Sequence, residues 1–188
     1  MTLFEYLAAG YVLILSLAVV RGISGVAYAL RRSSRYGVHL AYLSIVLANC
    51  LVSFWVFWFF RDVEWTFYRF VATLAIPVLF YVHVSVLVPP DPSTVSSWQV
   101  HFFDVRTPLL GTGALFMGAV LGSNQALLGV SAFQLASLGP WTLLAICAIG
   151  ASSAKPRLHT VLALGPPVLA VITILMLARP DSLASYAR

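Results

Sequence analysis

Residues 38–60 read VHLAYLSIVLANCLVSFWVFWFF, without a single Asp, Glu, Lys or Arg. As an α-helix this run is about 34 Å long, at roughly 1.5 Å per residue. That is enough to cross the ~30 Å hydrocarbon core of a bilayer. Lipid offers no hydrogen bonds, so every backbone N–H and C=O must be satisfied within the run, and it must be helical. A barrel strand would alternate polar and apolar residues at period two, and this run does not. Its polar interruptions are few: His39 at the start, Asn49 in the middle, and Ser44 and Ser53.

Working outward, similar runs predict spans of roughly 3–30, 38–60, 66–88, 106–123, 130–151 and 158–178. Of the 188 residues 61% are hydrophobic and 9% charged, and the mean hydropathy is +0.94. A water-soluble globule has too little interior to hide that composition. The expected fold class is all-α: a polytopic membrane protein, a six-transmembrane-helix bundle forming a single integral membrane domain over residues 1–188. The first run carries Glu5 and lacks a basic start, so it reads as a retained helix rather than a cleaved signal.

The formal net charge is +5. The cations fall between spans, where they orient the chain by the positive-inside rule, and no nucleic-acid partner is expected. With the 31–37 and 152–157 loops in the cytoplasm, that side holds seven cations: Arg21, Arg31, Arg32, Arg35, Arg106, Lys155 and Arg157. Four face the other way: Arg61, Arg69, Arg179 and Arg188. Both termini are then expected outside the cytoplasm. Cys50 and Cys147 fall inside spans without metal-ligand spacing and read as small buried residues.

Trp55, Trp58 and Trp65 mark a membrane interface. Beside them Arg61, Asp62, Glu64 and Arg69 balance in charge and are expected to form an outer-side ion-pair cluster. Residues 89–105 are expected to be a long connection, partly interfacial, with Trp98, Phe102 and Phe103 against lipid. Gly118 and Gly122 form a GxxxG pair, which lets helix backbones approach closely. Packing inside the bundle is expected for them, with a dimer interface as the alternative. Pro77, Pro140 and Pro166–Pro167 predict kinked spans.

The order of motifs from 37 to 106 carries a resemblance. His39 opens a helix that ends in Trp55 and Trp58, and Glu64 then precedes Trp65-Thr66. The next helix closes on Pro89, Pro90 and Asp91, and His101-Phe102 follows with Arg106. Over about residues 36–106 this resembles a group of multi-helix bacterial inner-membrane proteins to which no activity is assigned. The resemblance implies a multi-pass bundle in the bacterial inner (cytoplasmic) membrane, and no particular chemistry.

RGISGVAYAL, residues 21–30, resembles the rhomboid protease motif. That likeness would make Ser24 a nucleophile, activated by a histidine on a later helix. Its context departs from the family. A single span precedes the serine, which lies late in that span, and neither His39 nor His83 is followed by small residues. Gly22, Ser24 and Gly25 are therefore expected to form a narrow helix-packing face.

The alternating topology brings His39, His83, His101 and His159 towards one side of the membrane, with Asp91 and Asp104. His101 and Asp104, three residues apart, share a helix face. Histidine and carboxylate can bind a metal, ligate haem or relay protons. Ordinary interfacial hydrogen bonding would also account for them. His83 lies deepest and is the best single candidate for a functional polar residue. For haem the matched pair would be His39 with His83. No phosphate-binding loop, catalytic carboxylate pair or HExxH motif is present.

The expected function is a non-enzymatic accessory or interaction subunit of a membrane complex. Its expected partners are the lipid bilayer and a membrane protein or a second copy of the chain. No cofactor is expected. The alternatives are a small transporter or channel using the kinked helices, a metal- or haem-binding redox protein, and a rhomboid-like protease.

Overall fold

Thr2 begins the first helix through a capping box. Its Oγ1 accepts from the Glu5 N–H at 3.2 Å, and its own N–H donates to the Glu5 carboxylate at 2.7 Å. Glu5 thereby satisfies an orphan backbone donor at a helix start. The computed structural model describes residues 2–31, 35–131, 133–134 and 137–177; the side chains of 166–167, 169–170, 172–174 and 176–177 are not described. Arg32, Arg179 and Arg188 of the charge count lie outside the described residues, as do the side chains of Pro166 and Pro167.

Among the described residues six α-helices follow one another: α1 Leu3–Ala29, α2 Gly37–Phe57, α3 Phe67–Leu87, α4 Trp98–Leu128, α5 Leu138–Ala151 and α6 Pro156–Leu177. Short 3₁₀ turns cover Trp58–Asp62 and Pro92–Thr94. No strand occurs among the described residues. Packing contacts run α1 to α2, α2 to α6, α6 to α5, α5 to α4, α4 to α3 and α3 back to α1. The helices thus close a ring, which α2 and α4 also bridge. This is an all-α membrane bundle. Among the described residues four segments are long and apolar enough to cross a bilayer: Leu3–Ala29, Gly37–Asp62, Phe67–Thr94 and Trp98–Leu128. Large apolar side chains such as Leu13, Val20, Leu51 and Phe67 stay exposed on their outer faces, as lipid contact permits.

The greatest departure from the sequence expectation is α4. Its start was expected near 106, but it begins at Trp98, where the Ser97 hydroxyl accepts from the Val100 N–H. Trp98 and Phe102 do not lie in lipid: they are 1% and 0% exposed, inside the bundle. Early helix formation carries these rings against α2, where they bury far more surface than an interfacial loop would. The helix continues through Pro108 and ends at Gly129, whose φ of +65° is open to glycine at little cost. The Gly129 and Val130 N–H groups then both reach back to the Asn124 carbonyl, the latter at 3.2 Å, which satisfies a carbonyl of the last turn.

α5 begins at Leu138 rather than 130 and has 14 residues. At about 1.5 Å per residue it is shorter than the hydrocarbon core is thick. Pro140 falls in its first turn, where the missing N–H had no helical partner to lose, so it starts this helix instead of kinking it. Pro77 lies well inside α3.

Gly22 and Gly25 are buried. A Cβ at Gly22 would stand 3.1 Å from Leu47 Cδ2, and one at Gly25 would collide with Val88 Cγ2. Here α1 closes against α2 and the end of α3. Gly118 and Gly122 differ: both are exposed, and a Cβ would meet nothing within 4 Å among the described residues. The GxxxG pair therefore faces out of the bundle, not into it.

Candidate functional site

Three of the four histidines, His39, His101 and His159, gather where α2, α4 and α6 begin and α3 ends. His39 is fully buried and stacks on Trp98 with ring centroids 4.4 Å apart. His101 meets both rings edge-on, at 6.0 Å from His39 and 5.5 Å from Trp98. His159, also fully buried, contacts Phe102 at 5.4 Å and Phe103 at 5.5 Å. Tyr36 and Tyr42 complete the cluster against Phe102.

Two of these rings serve helix ends. His101 Nε2 donates to the Leu87 carbonyl at 3.1 Å, and His159 Nε2 donates to the Ser153 carbonyl at 2.8 Å. Arg21 acts alike from α1, its Nε donating to the Val88 carbonyl at 2.9 Å. Carbonyls at the end of α3, which lack helical partners, are thus met from both sides. Both nitrogens of His39, and Nδ1 of His159, have no hydrogen-bond partner among the described residues. The hydroxyls of Tyr36 and Tyr42 share that condition.

His83 stands apart from this cluster. Its Nδ1 lies 3.1 Å from Thr112 Oγ1. The Thr112 hydroxyl spends its proton on the Pro108 and Leu109 carbonyls, at 2.8 and 2.9 Å. With that proton on a carbonyl, the oxygen can accept from His83 Nδ1–H, the tautomer that leaves Nε2 as the acceptor of the ring. His83 borders a cavity of about 40 Å³ between α2, α3, α4 and α5, with Tyr42, Asn49, Met117 and Cys147 among its walls. Gly113 keeps it open: a Cβ there would stand 3.1 Å from both Cys147 Sγ and His83 Cε1.

The structure does not bring His39 and His83 to a shared space for haem. One is closed in by Trp98 and His101, and the other lines the cavity. Asp104 is exposed. Among the described residues no three His, Cys, Asp or Glu side chains gather to hold a metal ion. Ser24 is exposed, in a surface groove with Arg21, Tyr81 and Val88, and no histidine lines that groove. Of the four charged residues beside Trp58 and Trp65, Arg61 pairs with its neighbour Asp62 at 2.9 Å and lies over the Trp58 ring. Arg69 reaches the Glu64 backbone carbonyl at 2.7 Å.

Sequence reasoning did not single out Tyr42 or Met117, and set Cys147 aside as a packing residue. Part of the signal was present, since Tyr42 and Asn49 follow His39 at i+3 and i+10 on one helical face. The approach of Cys147 to His83 had no local signal, because it depends on how α5 is rotated against α3. Compared with protein-family models, with curated proteins and with solved structures, the chain has no match.

Proposed function

We propose that this protein is a non-enzymatic interaction subunit of a membrane complex, meeting its partner through the outward face of α4. The observation that carries this is the contrast among its glycines. Gly22, Gly25, Gly113 and Gly150 each have a neighbour inside the bundle that a Cβ would press upon. Gly111, Gly118 and Gly122 are exposed on α4, with nothing within 4 Å of a Cβ among the described residues. Glycine weakens a helix interior by about 1 kcal/mol relative to alanine. In lipid, close backbone approach by another helix is the usual return on that cost.

Two further features favour interaction over chemistry or transport. The histidines at the α3 end satisfy carbonyls and stack on aromatic rings. The cavity beside His83, about 40 Å³, has room for only about three waters.

The test is association in native membranes, read by cross-linking from α4 and by copurification in mild detergent. Gly118→Leu with Gly122→Leu is expected to abolish a stoichiometric complex while the isolated protein stays folded. A protein that remains alone in the membrane, or a complex that survives both substitutions, would overturn the proposal.

A further inference from the structure

The cavity between α2, α3, α4 and α5 is mostly apolar, and its polar walls are unusual in kind. They include an imidazole (His83), a thiol (Cys147), a thioether (Met117), a phenol (Tyr42) and an amide (Asn49). Among the described residues no carboxylate lines it. Two of these groups are brought close by a missing side chain: Cys147 Sγ and His83 Cε1 both lie 3.1 Å from the place a Gly113 Cβ would occupy.

We propose that this cavity binds one soft monovalent metal ion, Cu(I), with Cys147 Sγ and His83 Nε2 as ligands and the Met117 sulfur as a third. The proposal stands apart from the partner face of α4 and does not depend on it.

The ligand chemistry selects the metal class. Thiolate and thioether sulfur favour Cu(I), while carboxylate, carbonyl and water favour the harder cations. Charge selects further. Binding breaks the Cys147 S–H bond, forms an S–Cu bond and releases one proton, so Cu⁺ and the thiolate cancel. A divalent ion on one thiolate and a neutral imidazole would leave a positive charge uncompensated. In a low-dielectric interior without a carboxylate, that is a large penalty.

The imidazole is already oriented for such a role. A metal-ligating histidine usually donates its other ring N–H to a fixed acceptor. Thr112 supplies that acceptor, and its own hydroxyl is tied to the Pro108 and Leu109 carbonyls. The cavity volume of about 40 Å³ admits an ion without its hydration shell.

The experiment uses the full chain, purified anaerobically in detergent and titrated with Cu(I) in competition with bicinchoninate. One ion per chain is expected, with one proton released per ion and a nitrogen-and-sulfur signature in X-ray absorption. Cys147→Ser should abolish retention, and His83→Gln should weaken it by about tenfold or more, the scale typical of altered metal shells. Met117→Leu conserves volume and apolar character, so it tests the thioether even if Cys147→Ser fails to fold. It should weaken retention several-fold. Cys50→Ser should leave binding unchanged, since Cys50 is buried on α2 and does not line the cavity. Absence of Cu(I) retention by the folded protein would overturn the proposal. So would retention that is lost with Cys50 and unaffected by changes at Cys147, His83 and Met117.

Discussion

Arg21 on α1 donates a hydrogen bond of 2.9 Å from Nε to the carbonyl of Val88, the residue that caps α3. It ties the last third of one long helix to the end of another, 67 positions on. Arg21→Gln is expected to destabilise the bundle by about 0.6–2 kcal/mol, the range of interhelical hydrogen bonds in membranes. Arg21→Lys keeps the charge but lacks the Nε donor, and should recover only part of the loss. Unfolding in mixed micelles measures both.

Gly25 lies against the same Val88. A Cβ at Gly25 would overlap Val88 Cγ2 and stand 3.1 Å from Cγ1. Gly25→Ala should cost about 1–3 kcal/mol, as overpacking of a tight interface does. Val88→Ala in the same chain should return most of it, giving a coupling energy well outside additivity. A purely additive double-mutant cycle would mean that the contact is not the cause.

His39 carries two unpartnered ring nitrogens while fully buried on Trp98. His39→Phe keeps an aromatic ring there and removes the unsatisfied polar atoms. Its stability is expected to equal or exceed the parent by up to about 1–3 kcal/mol, the cost of leaving such groups unmade. His39→Ala should lose about 3 kcal/mol or more through the cavity it leaves. The two variants, compared by thermal unfolding in detergent, separate ring packing from polar chemistry.

Gly118 and Gly113 lie on the same helix in opposite circumstances. Gly118→Ala meets nothing among the described residues and should raise monomer stability by up to about 1 kcal/mol through helix propensity. Gly113→Ala presses on Cys147 and His83 and should lower it. Equal effects at the two positions would contradict the outward placement of Gly118.

Much of this architecture was legible in the residues. Long uncharged runs such as 38–60 demand helices, because lipid leaves the backbone no other way to satisfy itself. Their alternation also placed the four histidines towards one side; His39, His101 and His159 do gather about Trp98 and Phe102, while His83 lies apart on the cavity. Boundaries were less legible where aromatic residues lead a helix. Trp98, Phe102 and Phe103 suit an interface as well as a core, and the choice was made by α2 standing beside them.

What the sequence by itself determined was an all-α chain whose helices follow one another in order, through the hydropathy of each run. What only the tertiary structure decided was rotation. A helix bathed in lipid is apolar on every face, so its sequence carries little amphipathic signal to say which side turns inward. That is why the GxxxG pair of α4 was expected inside and lies outside. It is also why His39 sits against Trp98, while His83 opens onto a cavity with Cys147. Side-chain packing between helices far apart in the chain settles those angles, and no local stretch of residues encodes them.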